Sequence, residues 1–165
     1  MEKHVTNVWR SDYAKIWRIN SICHYLTTYA TKTIVCAFVP SKRDYCNSLL
    51  SSCTSQLLNK LQKVQNSRAR LVFKAWKQEH IKPLLQKLHW LLVHSRIHYK
   101  ILTLCYNSFS DTYPLCLSEL LTVYYPSTQL RSILDTKTFR IPLKKTTFGE
   151  RAFSFKGPKH WNALS

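Results

Sequence analysis

The acidic residues of this chain would do metal-dependent chemistry only if several of them met at one place, and their spacing does not favour that. Phosphoryl transfer by a two-metal centre needs carboxylates grouped around the same pair of ions. The eight acids of this sequence stand singly, at Glu2, Asp12, Asp44, Glu79, Asp111, Glu119, Asp135 and Glu150. We therefore expect no catalytic residues of this kind and no enzyme activity from the chain as it stands.

The cysteines and histidines offer a second route to chemistry. The six cysteines, at positions 23, 36, 46, 53, 105 and 116, never form a Cys-x-x-Cys pair. His94 and His98 are one helical turn apart and Cys105 follows, but no second pair completes a zinc-binding set. We predict no metal site, and free thiols rather than disulfides, since no signal peptide marks the chain for an oxidising compartment.

Glycine spacing excludes the common phosphate cradles. Gly149 and Gly157 are the only glycines, so neither a Gly-x-Gly-x-x-Gly fingerprint nor a P-loop is present. A Gly-x-Ser-x-Gly nucleophile elbow is absent too. The sequence predicts no cofactor and no small-molecule substrate.

The charge balance points to a polyanionic partner. Lys and Arg outnumber Asp and Glu by 25 to 8, a formal net charge of +17, while 45% of residues are hydrophobic, as in globular domains. Nucleic acid is the commonest partner of such a chain, and an anionic membrane surface is the next. A membrane is not expected, because the best apolar run, residues 34–39, is far short of the ~18 residues that span a bilayer. We expect an intracellular protein, in the nucleus rather than the cytoplasm.

The strongest candidate for the binding surface is a predicted helix over residues 55–77. Seven apolar residues fall in one stripe at about 100° per residue: Leu57, Leu58, Leu61, Val64, Leu71, Val72 and Ala75. A separate face carries Lys60, Lys63, Arg70, Lys74 and Lys77, and no acid interrupts it. The alternative is a merely solvated face, although such faces commonly carry Glu partners one turn away.

A second basic cluster lies near the carboxyl end. Lys144, Lys145 and Arg151 are interleaved with three aromatic residues, Phe148, Phe153 and Phe155. Basic groups with aromatics between them suit backbone contact and base stacking. The alternative for these aromatics is a place in the core.

Arg68 is the one charge that the helical wheel places inside the apolar stripe of residues 55–77. With so few acids in the chain, we expect it to have no partner there, unless it reaches water along its methylene groups. An unpartnered buried charge is costly. On this reading, replacing Arg68 with alanine raises the melting temperature.

The positioning elements are predicted to be mostly α-helices, in a small helical bundle with a short extended or β-like C-terminal tail. The apolar period of three and four, with Pro and cap residues as boundaries, places a first helix at 12–29, with Ile16, Ile19, Cys23 and Leu26 inward, and a shorter second one, with Ile34, Val35 and Phe38, that Pro40 stops. The longest helix is predicted at 55–77. A fourth begins at Pro83 with Leu84, Leu85 and Leu88, a fifth spans about 94–108, and a sixth begins near Pro114 with Leu117, Leu120 and Leu121. Asp44 is expected to cap a short turn to Leu50, residues 138–142 to be extended, and residues 150–155 to form one helical turn.

Four blocks of this sequence resemble the region downstream of the catalytic palm in LINE-type non-LTR retrotransposon reverse transcriptases. The first is Ser41-Lys-Arg-Asp-Tyr-Cys-Asn-Ser-Leu-Leu50. The other blocks are residues 58–66 with 69–72, residues 80–91 with 96–102, and residues 148–154 with 157–162. Their order and spacing also fit, and residues 4–11 look like the segment just before them, so the resemblance covers essentially the whole chain.

The resemblance implies a thumb-like helical region over 1–125 and a truncated, basic and aromatic C-terminal extension over 126–165. In the parent enzyme, an RNA-directed DNA polymerase, such a region helps to hold the template–primer duplex. The acidic pair of the palm is absent from these residues. Departures from the family pattern at Pro40, at 51–53, at Arg68 and at Leu92 indicate a drifted copy of a transposable element.

The leading hypothesis is therefore a non-catalytic, retrotransposon-derived fragment with at most generic, sequence-tolerant affinity for RNA or DNA. One alternative is an independent basic helical adaptor for DNA or RNA. Another is part of an active reverse transcriptase whose palm lies on another chain. Incorporation in a primer-extension assay separates the enzyme from the other two.

Overall fold

Helices form where apolar residues recur at intervals of three and four. The computed structural model describes residues 2–38, 50–51, 53–109, 115–125 and 138–164. Within these ranges it contains seven α-helices: α1 (Glu2–Ile22), α2 (Thr28–Phe38), α3 (Ser55–Phe73), α4 (Ile81–Lys87), α5 (Val93–Phe109), α6 (Leu115–Ser118) and α7 (Phe153–Asn162). The prediction of a mostly α-helical protein is confirmed. Asp44, Cys46, Pro40 and Pro114 lie outside the described residues.

The chain divides into two compact units, residues 1–97 and residues 98–165. The boundary falls within α5. None of the described helices is both long and apolar enough to cross a membrane.

Helix α1 begins ten residues earlier than the predicted start at residue 12. Its buried positions are Val5, Val8, Asp12, Ile16 and Ile19, at the helical spacing of three and four. Asp12 occupies one of these inward positions, and this polar residue interrupted the apolar pattern on which the prediction depended.

The predicted helix 12–29 also ends too late. Helix α1 stops at Ile22, a 3-10 turn follows over Cys23–Tyr25, and α2 begins at Thr28. The hydroxyl oxygen of Thr27 accepts a hydrogen bond from the Ala30 N–H at 3.2 Å, which caps the free donors of the new helix. The predicted second helix, with Ile34, Val35 and Phe38, is α2, and it begins at Thr28, within the range that the prediction gave to the first helix.

Helices α1, α2 and α4 each pack against α3. Their shared core contains Ile16, Ile19, Cys23, Val35, Val64, Ala69, Leu71, Val72, Leu84, Leu85 and Leu88. The predicted apolar stripe of α3 is buried at Leu61, Val64, Leu71 and Val72, whereas Leu57 and Leu58 are half-buried. The predicted leucines Leu84 and Leu85 of α4, and Leu88 directly after it, are buried in the same core.

Helix α3 ends at Phe73, not at 77, and with 19 residues it is shorter than the 21 residues of α1. Lys74 adopts a left-handed conformation with φ of 51°. Its N–H bonds to the Leu71 carbonyl at 3.3 Å, and the Ala75 N–H bonds to the Arg70 carbonyl at 3.0 Å. This pair of bonds is a Schellman motif, which terminates a helix, here with lysine in the place usually taken by glycine.

Two glutamines of α3 hold the connection between α4 and α5. Gln65 donates from Nε2 to the Leu91 carbonyl at 2.8 Å, and the Gln62 Oε1 accepts from the Val93 N–H at 2.9 Å. The second bond satisfies one of the free donors at the start of α5. Helix α5 runs within one residue of the predicted 94–108.

Arg68 is buried in the first unit, with 2% of its surface exposed, but the expectation that it has no partner there is wrong. Its Nη2 donates to the Val35 carbonyl at 3.3 Å, and its Cζ lies 4.9 Å from the centroid of the Trp90 ring. Both partners come from segments distant in sequence, which a helical wheel of α3 does not contain.

In the second unit, the side chain of Asn162 holds an extended segment in place. Its Nδ2 donates to the Phe139 carbonyl at 2.8 Å, and its Oδ1 accepts from the Phe139 N–H at 3.0 Å. On its other side the segment forms an isolated antiparallel bridge with Val123. The predicted extended stretch at 138–142 is therefore paired at one bridge, and the described residues form no strand.

Helix α7 replaces the single helical turn predicted over 150–155. A 3-10 turn spans Gly149–Arg151, and α7 then continues to Asn162 through Gly157 and Pro158. These two residues resembled helix breakers in the sequence. Gly157 is buried where there is no room for a larger side chain, since a Cβ there would lie 3.0 Å from the Cys105 Sγ.

Aromatic rings complete the core of the second unit. Phe109 stacks on Phe139 with ring centroids 4.4 Å apart, and Trp161 lies 5.3 Å from Phe109. Leu121 is buried as predicted, whereas Leu120 is largely exposed, against the prediction. Asn162 and Trp161 thus bind the C-terminal helix to the segment around Phe139.

Candidate nucleic-acid interface

The five predicted basic residues of the first unit do not share one helix. Lys60, Lys63 and Arg70 belong to α3, whereas Lys74 and Lys77 follow its end. All four lysines are exposed, and Arg70 is half-buried. A single helical face thus extends only as far as Arg70, because the left-handed residue at 74 turns the chain away from the axis of α3.

The turn nevertheless brings three of these cations to one place. A cleft of about 390 Å³ lies in the first unit, between α1 with its 3-10 turn and the end of α3. Its walls are formed by Ile16, Asn20, Cys23, His24, Ser67, Arg70, Leu71, Lys74, Ala75 and Lys77. No acid is among them. Lys60 and Lys63 do not line the cleft.

Hydrogen bonds to backbone carbonyls orient two of the three cations. Arg70 donates from Nη2 to the Glu79 carbonyl at 3.3 Å, and Lys74 donates from Nζ to the Leu26 carbonyl at 3.4 Å. The Nε of Arg70 is buried and has no hydrogen-bond partner among the described residues. The charge of both side chains remains uncompensated by these bonds, because carbonyl groups are neutral.

The acid nearest to these residues in sequence is held by the backbone. The Oε1 of Glu79 accepts a hydrogen bond from the Trp76 N–H at 2.8 Å. This bond fixes the turn that follows α3, but it does not remove the charge of the carboxylate, because an N–H group is neutral. The wall itself carries three cations and no acid, so it has an excess of positive charge, which suits an anionic ligand.

The sequence reasoning missed Asn20, His24 and Ser67 as residues of this cleft. They come from α1, the 3-10 turn after it, and the inner side of α3. The hydroxyl groups of Tyr13 and Ser67 lie 3.3 Å apart where α1 crosses α3. No local pattern marks these residues, because only the packing of α1 on α3 assembles them.

The second predicted cluster lies on the surface of the second unit. Lys144, Lys145 and Arg151 are exposed. Phe148 is 80% exposed, while Phe153 and Phe155 are half-buried. Phe148 is thus exposed enough to stack on a base, whereas Phe153 and Phe155 are partly packed against the protein.

The described thiols and histidines show no chemical site. Five cysteines (23, 36, 53, 105 and 116) have free thiols. Burial raises the pKa of the Cys105 thiol to about 12, so this thiol stays protonated and is a poor nucleophile. Within the described ranges, no three or more His, Cys, Asp or Glu side chains are placed to hold a metal ion.

Comparisons with known proteins find no matching family model, no matching curated protein and no matching solved structure. The resemblance to LINE-type reverse transcriptases thus rests on the sequence blocks themselves.

Proposed function

We propose that this chain is a non-catalytic, retrotransposon-derived segment that contacts RNA or DNA without sequence preference. It corresponds to the thumb and C-terminal extension of a LINE-type reverse transcriptase, with a small helical bundle as its body. The observation that carries the binding function is the acid-free cleft lined by Arg70, Lys74 and Lys77 in a chain of net charge +17.

Charge of this kind supports sequence-tolerant binding because phosphates are the same in every sequence. Lysines that neutralise phosphates release condensed counterions, so affinity falls steeply as salt rises. Non-specific binding of this class has a Kd of roughly 10⁻⁴ to 10⁻⁶ M at physiological salt. Hydrogen-bond donors in the cleft contact phosphate oxygens, which position a nucleic acid without reading its bases.

The proposal is tested with random-sequence oligonucleotides, by fluorescence anisotropy over a series of salt concentrations. Changing Lys74 and Lys77, the two exposed lysines of the cleft wall, to Glu should weaken binding and flatten the slope of log K against log salt. The matched control changes Lys82 and Lys87 to Glu, two exposed lysines of the same unit that do not line the cleft. Equal binding by the two variants would show that net charge alone, and not this surface, binds the nucleic acid.

The absence of catalysis is tested separately by primer extension on an RNA template. We expect no nucleotide incorporation by this chain alone, because the sequence has no adjacent acidic pair. Incorporation would contradict the proposal. If this chain increased nucleotide incorporation by a separately added palm, the result would instead support the alternative that it is part of a reverse transcriptase whose palm lies on another chain.

The proposed ancestry is tested in the genome. The reading frame upstream of the codon for Met1 should encode a recognisable palm, either intact or interrupted by stop codons. An unrelated coding sequence at that place would favour the independent adaptor.

A further inference from the structure

Three exposed aromatic side chains accompany the basic cleft. Trp17 is 74% exposed, Tyr25 90% and Trp76 77%. Each directly follows a residue of the cleft wall: Ile16, His24 and Ala75, respectively. Large rings are more often buried in a folded domain, so these three exposed rings are unusual. Only Trp76 has a residue of the cleft wall on both sides of it in the chain, Ala75 and Lys77.

The backbone of Trp76, the exposed ring between two wall residues, is held in place by hydrogen bonds. Trp76 lies between Ala75 and Lys77, and its N–H is bound by the Glu79 carboxylate at 2.8 Å. The Schellman bonds at the end of α3 fix the preceding residues. Because this backbone is already ordered, a ligand that stacks on Trp76 has to order only the side chain.

The size of the cleft distinguishes between forms of nucleic acid. A volume of about 390 Å³ is that of a small-ligand pocket, and a double helix is far too wide to enter it. A single unpaired nucleotide is of the size that such a pocket takes. Its phosphate is attracted by Arg70, Lys74 and Lys77, and its base offers a flat face to the exposed rings.

We propose that this cleft binds single-stranded nucleic acid, with phosphates at Arg70, Lys74 and Lys77 and an unpaired base stacked on Trp76. The inference rests on the proposed nucleic-acid contact and adds to it the form of the ligand. Positive grooves with aromatic side chains are the usual arrangement in proteins that bind single strands without sequence preference.

The test measures the affinity of the full chain for a labelled 20-nucleotide oligothymidylate and for a duplex of the same length, at one salt concentration. Trp76→Ala should weaken binding of the single strand roughly 5- to 100-fold, the range that stacking of one base provides. Duplex binding should be unchanged. Because no charge is removed, the salt slope should be unchanged as well.

Two further variants separate stacking from a folding defect. Trp76→Phe keeps an aromatic ring and should retain most of the single-strand affinity. Tyr29→Ala removes an exposed ring of α2, in the same unit, that neither lines the cleft nor adjoins a wall residue in sequence, and it should leave affinity unchanged. An oligonucleotide of abasic residues should bind the parent more weakly, and Trp76→Ala should weaken it no further.

The possible results separate a failure of the stacking proposal from a failure of the proposed nucleic-acid binding. If the parent binds neither oligonucleotide, the proposed function fails and the inference fails with it. If the parent binds both but Trp76→Ala has no effect, or weakens single strand and duplex equally, only the stacking inference is overturned. If Lys74→Gln with Lys77→Gln reduces single-strand binding no more than Lys60→Gln with Lys63→Gln, the cleft is not the site.

Discussion

At the scale of single residues, Arg68 shows how a charge is accommodated in a core. Its guanidinium donates to the Val35 carbonyl and lies over the Trp90 ring, so a carbonyl dipole and an aromatic face replace part of the water that it loses. Charge-assisted hydrogen bonds and cation–π contacts both gain strength when they are desolvated. The side chain therefore joins α2, α3 and the segment after α4.

We now predict that Arg68→Ala lowers the melting temperature, the opposite of the expectation from the sequence. The change removes the contacts to Val35 and Trp90 and leaves a cavity, at a cost of about 2–4 kcal/mol. For a protein of this size that is a fall of roughly 5–15 °C in Tm, measurable by circular dichroism. Lys63→Ala, on the exposed side of the same helix, should shift Tm by less than about 2 °C. An unchanged or higher Tm for Arg68→Ala would contradict the assignment.

Asp12 is the other charged side chain that is buried among the described residues. It adjoins Tyr13, and Arg68 adjoins Ser67, at the crossing where those two hydroxyl groups meet at 3.3 Å. We predict that Asp12 and Arg68 are energetically coupled. A double-mutant cycle with Asp12→Asn and Arg68→Met should give a coupling free energy above about 1 kcal/mol, whereas additive effects would show that the two charges act independently.

Cys105 provides a prediction about pH and reactivity. Because burial raises its pKa to about 12, its thiolate is scarce at pH 8 and iodoacetamide should not label it in the folded protein. The exposed Cys116 should react first and serves as the internal control. In denaturant without reductant, mass spectrometry should find all six thiols labelled. Early labelling of Cys105, or a deficit of two or more labels in denaturant, would contradict this.

The same pKa fixes the sign of a stability change at alkaline pH. The unfolded thiol loses its proton near its ordinary value of 9.0, and the folded one only near 12. Between these values the unfolded state binds fewer protons, so stability falls as the pH rises. Below about pH 9 Cys105 contributes no pH dependence.

At the scale of elements, the contact between α5 and α7 depends on the absence of a side chain at Gly157. A Cβ there would lie 3.0 Å from the Cys105 Sγ and 3.3 Å from a ring carbon of Phe153. Gly157→Ala gains about 1 kcal/mol of helix propensity but overpacks the contact at a cost of about 1–3 kcal/mol. We predict a net loss of stability.

The test of the Gly157 contact is a cycle with Cys105→Ala, measured by chemical denaturation. Gly157→Ala and Cys105→Ala should each lower the free energy of unfolding. The double variant should lose less than the sum of the two losses, because the new methyl group occupies the space of the removed sulfur. Gly149→Ala is the control, since its closest neighbours belong to exposed Thr146 and Lys144 side chains. Strict additivity would show that the two helices move apart instead of clashing.

At the scale of the whole molecule, the net charge of +17 affects stability and binding in opposite directions. In the folded state like charges are held close together, and their repulsion is reduced when salt screens it. Nucleic-acid binding depends on the same charges and weakens with salt. The two salt dependences therefore have opposite signs.

We predict that raising NaCl from 20 to 300 mM raises the melting temperature of the free protein by several degrees. Sucrose at equal osmolarity is the control, because it does not screen charge. In the presence of excess oligonucleotide the shift should shrink or reverse, since the ligand stabilises the folded state most at low salt. A melting temperature that falls with salt in the free protein would mean that attractive ion pairs outweigh the repulsion.

Several properties were determined by the sequence alone, because they depend on local period and composition. The apolar spacing placed the buried residues of α3 up to Val72, and the three leucines in and directly after α4, on the correct faces. The excess of lysine and arginine indicated a polyanionic partner, a prediction that stays open to the binding experiments above. These features need no knowledge of which segments meet.

Other properties were decided only by the tertiary structure. The start of α1 was hidden because Asp12 occupies a core position, where the apolar period leads one to expect a hydrophobic residue. Helix α3 ends where Lys74 adopts the left-handed conformation. Glycine usually takes that position, so the sequence gives no signal for the end of the helix. The cleft brings Arg70, Lys74 and Lys77 together with His24 because α1 crosses α3. The partners of Arg68 are Val35, 33 residues before it, and Trp90, which follows α4. Contacts between distant segments determine these features, and the spacing of residues within one helix carries no information about them.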